Sequence, residues 1–480
     1  MCLIAGGFKL YTDEIIRIIE LGKHRGPDSF GVWSEREVIK SSDFSALEEV
    51  KGGDKVLIQC RLAMTGSKEY TQPFYNEIAL VHNGEIYNHE KLRAYLVERG
   101  ISFESDVDSE VILRLLEYLL FDRNLSPWNA IKKLMWMLRG DYAVAFHYNG
   151  KFYLFRDPLG IRPLYYSSQG HFGSEKKVLW GLGEEATPVM PGEAVEISKF
   201  GINRVRLYDV TAIKSFGSEY FDGLRNLLID SVKIRSSKKI GILFSGGLDS
   251  TLIAFIASRY SNVTLYVSGT EDSKDVEWAR KVSQELGLKL KEYIFSKEEV
   301  EKELKRIMFA IEEPNPMNLS IAIPLYFSTK LAREDGVKIL LSGQGADELF
   351  GGYAKYLENP NLMISDVANL GERNLARDDK VSMINGVEVR YPYLDLPFAV
   401  LALNTPLQHK IKDGKRKIIL REIAKSLGLP EWIAEREKKA AQYGSNAQKI
   451  LEKIAKSRGI RLKELASLLF SEVFRGIHNR

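Results

Sequence analysis

Ser245-Gly246-Gly247-Leu248-Asp249-Ser250 stands between two apolar runs, Ile240 to Phe244 and Thr251 to Tyr260. The first has the length of a buried strand and the second that of a helix. Two glycines let the backbone approach a ligand closely. Free N–H groups and small hydroxyls then lie at a helix N-terminus, where the dipole favours an anion. Strand, Gly/Ser loop and helix together make a cradle for phosphate. The pattern G-x-x-x-x-G-K-[ST] is absent, so this is a different phosphate loop from that common one. An acid at Asp249 beside a polyphosphate makes sense as a ligand of Mg²⁺. At the other end of the chain, Cys2 follows Met1 directly. Removal of Met1 would leave a thiol and a free α-amine on one residue. Such an amine titrates at roughly 7.7–8.0, so nucleophile and base would coincide. Taken alone, Cys2 reads as a small hydrophobe.

The neighbours of Cys2 change that reading. His24-Arg25-Gly26-Pro27-Asp28 follows an amphipathic stretch, Asp13 to Leu21. A strand-like run, Lys55 to Cys60, leads into Arg61-Leu62-Ala63-Met64-Thr65-Gly66, and Ile78 to Val81 leads into Asn83-Gly84-Glu85-Ile86-Tyr87-Asn88. Ser105 to Glu110, Arg156 to Tyr165 and Pro191-Gly192 follow. In that order these residues resemble the class II glutamine amidotransferase domain. The resemblance implies an Ntn-type αββα sandwich, with a Cys2 thiolate that attacks the side-chain amide of glutamine and releases ammonia. It places the Asn83 amide and the Gly84 N–H at the oxyanion, Arg61 on the substrate carboxylate and Asp108 on its ammonium. Leu62, Ala63, Met64, Thr65 and Glu85 complete the glutamine pocket by the same resemblance. Plainer readings stand beside these. Asp108 precedes a helical stretch and suits an N-cap. Asn83-Gly84 and Asn149-Gly150 both have the composition of a type I′ hairpin turn, and at Asn149 the turn suffices.

Composition bounds the rest. A chain of 480 residues is too long for one ordinary core. With 45% apolar and 28% charged residues it reads as a globular protein, and a net charge of +4 gives no argument for nucleic acid or a membrane surface. No apolar run is long enough to span a bilayer and no signal peptide is evident. Two cysteines make no disulfide framework, which suggests a reducing cytoplasm. The hydrophobic pattern weakens after Ile197, giving expected domains of 2–208 and 219–480 with a linker near 209–218.

The second half alternates strand and helix: Val263 to Val267, Asp275 to Leu286 stopped by Gly287, Leu290 to Phe295, then Val337 to Leu341. That order implies a doubly wound parallel sheet, α/β beside the α+β first domain, with ligands beyond the carboxyl ends of the strands. Ser268-Gly269 and Ser342-Gly343-Gln344-Gly345-Ala346-Asp347-Glu348 fall at such ends. With SGGLDS, these runs, Asn374 to Lys380, Val389 to Asp395 and Lys417 to Arg421 resemble the glutamine-hydrolysing asparagine synthetases, whose C-terminal domain is an ATP pyrophosphatase. The resemblance covers nearly the whole chain. It implies L-aspartate, L-glutamine and ATP as substrates, Mg²⁺ as cofactor, a β-aspartyl-AMP intermediate, ammonia passed inside the protein, and a homodimer. It sets ATP against Leu243, Ser245, Gly246, Gly247, Leu248, Asp249, Ser250, Ser268, Ser342 and Gly343, with Asp249 and Asp347 near the metal. Lys417 would neutralise departing pyrophosphate, and Arg377 would lie near the acceptor or the pyrophosphate side.

One residue departs from the pattern. Gln344 occupies the place of a family glutamate that forms the adenylate and handles ammonia. An amide can orient a substrate but cannot take up a proton. Either a nearby acid, such as Glu312, Glu313 or Glu348, supplies the charge or orientation alone suffices, or else the acceptor is a carboxylate other than aspartate.

Overall fold

The computed structural model describes residues 1–64, 66–67, 70–214, 219–436 and 444–478. They form two compact units. The first comprises Met1–Val210, Gly371–Ala376 and the residues from Gly476; the second comprises Thr211–Leu370 and Arg377–Arg475.

In the first unit, β1 (Cys2–Leu10) lies antiparallel to β2 (Gly53–Arg61), with Cys2 opposite Arg61 and Ile4 opposite Gln59. They are the central pair of a seven-stranded sheet. Alternation along β1 divides its side chains. Leu3 and Ala5 pack with Ile15, Ile18 and Ile19 of α1 (Thr12–Gly22), and Ile4 packs with Leu57, Val81, Ala143 and Phe152 in a second layer. That second layer lies between the first sheet and a six-stranded one containing β3 (Ala79–Ile86), β4 (Gly140–Tyr148) and β5 (Lys151–Arg156). Beyond it, Leu80, Val144 and Phe146 meet Val111 and Leu115 of α2 (Asp108–Glu117) and Ile131 and Leu134 of the helix Pro127–Met137. Helix, sheet, sheet and helix make the expected sandwich.

Asn149 and Gly150 turn the chain between β4 and β5 with φ of +48° and +73°, as a type I′ turn requires. Asn83 and Gly84 do not turn. They lie inside β3, paired with Ala143 and Tyr142 of β4, so the hairpin reading of that dipeptide fails. Val107, not Asp108, is the N-cap of α2, and no side chain caps that end.

The second unit holds five parallel strands: β6 (Lys239–Leu243), β7 (Asn262–Gly269), β8 (Lys289–Ile294), β9 (Ile339–Leu341) and β10 (Glu388–Arg390). Their order is β8-β7-β6-β9-β10. The winding reverses between β6 and β9, and ligands bind at such a switch point. After β6 the chain enters α3 (Leu248–Ala257), buried on nearly every side. Helix α4 (Lys274–Leu286) starts under a cap from Ser273 and stops at Gly287 in the left-handed conformation, as its sequence signals. The apolar pattern does not announce β10. Its two charges are internal because Arg390 pairs with Glu388 at 2.9 Å.

Candidate active sites

Cys2 begins β1 and is 7% exposed. Its backbone N–H donates to Asn83 Oδ1 at 2.9 Å. The other end of that amide, Asn83 Nδ2, is buried without a hydrogen-bond partner. A buried donor left unmet costs about 1–3 kcal/mol, so it needs an explanation. An oxygen that becomes negative beside Cys2 would supply one. Gly84 has φ +151°, and a Cβ there would run into the Asp141 carbonyl, so only glycine fits. Arg61 ends β2 opposite Cys2, buried, with Nη1 donating to the Tyr70 carbonyl at 2.5 Å. Asp28 sets the following loop by accepting from Ala63 N–H at 2.9 Å. Leu62 is buried, Ala63 and Met64 half-buried, and Thr65 lies outside the described residues. Asp108 is buried and accepts from Ile86 N–H at 2.9 Å and Ser109 Oγ at 3.3 Å, and Glu85 is buried beside them in sequence. β1, β2, β3 and the start of α2 therefore supply the residues of the predicted glutamine site.

A charged cluster supports Cys2. Arg25 Nε donates to the Cys2 carbonyl at 3.1 Å, and the same guanidinium pairs with Glu175 at 2.9 Å. His24 and Lys177 also reach Glu175, at 3.1 Å and 2.5 Å. Burial pushes the Glu175 carboxyl up, but Lys177, His24 and Arg25 outweigh it and hold it well below the usual carboxylate range. Burial depresses the His24 imidazole. Of Ser174-Glu175-Lys176-Lys177 all but Lys176 are buried, which the charged composition of the run does not announce. Gln59 was also missed: its Nε2 donates to Cys2 Sγ at 2.9 Å.

In the second unit the two predicted loops leave adjacent strands. Lys417 Nζ lies 2.6 Å from an Asp249 oxygen and 2.6 Å from Asp347 Oδ1. One ammonium thus joins the acid of the first loop to the acid of the second. Lys417 has φ +58° and precedes the helix Ile418–Ser426. A Cβ on Gly352 would collide with both Asp347 and the Lys417 side chain. Tyr393 donates its hydroxyl to the Asp249 carbonyl at 3.1 Å. Arg436 Nη1 donates to the Ser245 carbonyl at 2.9 Å and its guanidinium lies 4.6 Å from the Trp278 ring centre. Lys438 and Lys439, which also fit the resemblance to the asparagine synthetases, lie outside the described residues. Ser268 Oγ is tied to the Pro324 carbonyl at 2.6 Å, and Ser342 Oγ accepts from Gln344 N–H at 3.2 Å. Two carboxylates converging on one point suit Mg²⁺ shared with phosphate oxygens, so the predicted metal residues fit that ion.

Gln344 itself is half-buried. The acids that could replace its missing charge are engaged. Glu312 pairs with Lys380 at 3.0 Å, Glu348 accepts from the Tyr353 hydroxyl at 3.0 Å, and Glu313 accepts from Asn318 Nδ2 at 2.8 Å. Arg377 pairs with Asp378 at 2.7 Å and donates to Asn318 Oδ1 at 3.2 Å. A cavity of 620 Å³ lined by Glu452, Lys456, Arg461 and Glu464 contains none of these residues.

Known proteins resemble the chain throughout. A family model described as asparagine synthase matches residues 223–362 and 358–475, and one described as glutamine amidotransferase domain matches residues 59–181. A Methanocaldococcus jannaschii protein named "Putative asparagine synthetase (glutamine-hydrolyzing) 1" is 35% identical over 96% of this chain and 95% of its own length. Asparagine synthetase B of Escherichia coli is 29% identical over 92% of this chain and 82% of its own. Asparagine synthetase 1 of Saccharomyces cerevisiae is 28% identical over 92% of this chain and 85% of its own.

Proposed function

The chain belongs to the glutamine-hydrolysing asparagine synthetase family, and from that premise we propose that it makes L-asparagine from L-aspartate, L-glutamine and ATP. Residues 2–208 act as the glutaminase and residues 219–480 as the synthetase. The observation that carries the reading is Asn83, fixed at one end by Cys2 and left at the other with an unmet donor.

With Met1 removed, the Cys2 nitrogen becomes an amine that takes the thiol proton. The sulfur attacks the glutamine Cδ, and the carbonyl oxygen becomes an oxyanion held by Asn83 Nδ2 and Gly84 N–H. The oxyanion collapses, the C–N bond breaks, and ammonia leaves with the transferred proton. Water opens the thioester to glutamate and restores the thiol. Arg61 and Asp108 bind the two charged ends of the substrate, and Leu62, Ala63, Met64, Thr65 and Glu85 shape its pocket.

In the synthetase, Leu243, Ser245 to Ser250, Ser268, Ser342 and Gly343 hold ATP. Asp249 and Asp347 would hold Mg²⁺, which when bound neutralises phosphate charge. The aspartate β-carboxylate attacks the α-phosphorus, and pyrophosphate departs with Lys417 balancing its charge. Adenylation is needed because a carboxylate is a poor electrophile. Ammonia then displaces AMP from the β-aspartyl adenylate. Gln344, with the neighbouring acids engaged, orients the acceptor without exchanging a proton. The same residue favours a second reading, in which another carboxylate is adenylated.

One assay separates these readings: ATP, Mg²⁺ and glutamine, with and without aspartate, reading AMP, pyrophosphate and asparagine. Aspartate-dependent AMP and asparagine in equal amounts are expected. Glutamate release with neither product would move the search to other carboxylates.

A further inference from the structure

Gln59 lies in a strand whose neighbours Val56, Leu57, Ile58 and Cys60 are fully buried, and it is fully buried too. An amide in such company costs roughly 1–3 kcal/mol unless it is hydrogen-bonded. Its Nε2 donates to Cys2 Sγ at 2.9 Å, and its Oε1 is buried with no partner. Register explains the reach. Cys2 is opposite Arg61 and Ile4 opposite Gln59, so Cys2 and Gln59 are diagonal neighbours on one face of the sheet. On that face Ile4 and Leu57 fill an apolar layer. An aliphatic side chain at position 59 would serve packing better.

Two buried polar atoms beside Cys2 therefore lack partners: a donor, Asn83 Nδ2, and an acceptor, Gln59 Oε1. A primary amide has the complementary pair, a carbonyl oxygen that accepts and an NH₂ that donates. We propose that Gln59 is a catalytic residue of the glutaminase: its Nε2–H holds the Cys2 sulfur as thiolate, and its Oε1 receives the NH₂ of the substrate amide. This rests on the glutaminase reading above. The sulfur carries most negative charge just before it attacks and again as it leaves the thioester. A hydrogen bond to an ionised partner is about twice as strong as a neutral one, so Gln59 acts most at those two moments. Its Oε1 also selects. The product glutamate offers a carboxylate where the substrate offered NH₂, and two acceptors face to face release the product.

The test is Gln59→Met, which keeps length and volume and removes both amide functions. Two readouts are needed. The first is glutamine hydrolysis. The second is the rate at which iodoacetamide alkylates Cys2, followed by mass spectrometry of the N-terminal peptide, which involves no substrate. Alkylation is expected to slow about tenfold and kcat/KM for glutamine to fall roughly 100-fold, with the melting temperature little changed. Unchanged alkylation in the folded variant overturns the proposal, whatever happens to hydrolysis. Should Gln59→Met fail to fold, Gln59→Asn, which draws the amide back by one methylene, decides by the same two rates. Failure of the underlying reading looks different. The unmutated protein would then release no glutamate, or Cys2→Ala would release as much.

Discussion

The two chemical centres use opposite electrostatic means. At the nitrogen and sulfur of Cys2 the contacts are neutral amides, Asn83 and Gln59, each with one polar atom unmet, while the charged Arg25 reaches the Cys2 carbonyl instead. Between β6 and β9 the contacts are full charges of opposite sign, with one Lys417 ammonium against the carboxylates of Asp249 and Asp347. The difference follows the ligands. A primary amide is neutral and is recognised by dipoles held in place. A triphosphate with its metal is densely charged, and the site that receives it must hold opposite charges in check until it arrives.

The largest expected effect breaks the charged centre. Lys417→Met removes the ammonium that buried Asp249 and Asp347 share. Losing one partner of such a set costs about 3–5 kcal/mol, so the melting temperature should fall by roughly 10 °C, and added Mg²⁺ should restore part of it. Aspartate-dependent AMP formation should drop at least ~1000-fold, measured with glutamine as donor. A variant as stable as the parent without Mg²⁺ would mean that the lysine compensates nothing. The neutral centre should break more gently. Asn83→Ala removes one oxyanion donor and should lower the glutaminase kcat about 100- to 1000-fold, with KM moving only a few-fold. A rise in KM at constant kcat would instead make Asn83 a binding residue.

The smallest effect sharpens the contrast by pH. Asp157 is buried, and burial together with Asp141 pushes its carboxyl up to about 6. Its folded value lies above the unfolded one, so its contribution is fully present below the unfolded value and is lost as pH rises through 6. Stability should therefore decline between about pH 4 and 6, by up to about 3 kcal/mol from this group. Asp157→Asn should flatten that slope in denaturant titrations at several pH values. An unchanged slope would assign it to other groups.

What the sequence made legible was local. SGGLDS and the loop after Leu341 combine residue types that chemistry explains, and the fold sets each after the strand predicted for it. Cys2 with Asn83-Gly84, in contrast, was legible through the family resemblance, and Asn83-Gly84 lies inside a strand. What stayed hidden depends on register and on tertiary burial. Gln59 is one polar residue in an apolar run, and only the pairing of β1 with β2 brings it to Cys2. Nothing near Glu175 in sequence announces that His24, Arg25 and Lys177 will meet its carboxylate. Arg436 follows a short helix, Glu431–Ala434, and meets Ser245 only through the fold. A Gln within a strand that is otherwise buried was the one signal available, and it carried no address.

Gly343 leaves no room for a side chain, since a Cβ there would sit 2.9 Å from Asp249 Cβ and 3.0 Å from Ser250 N. The nucleotide loop and the acid loop, far apart in the gene, are therefore one inherited part. A chimera that takes one loop from this chain and the other from a distant relative should lose activity, and one that exchanges both together should keep it. Mutations that drift into either loop persist only when the other tolerates them, so the two should carry a shared history that the strands beneath them do not.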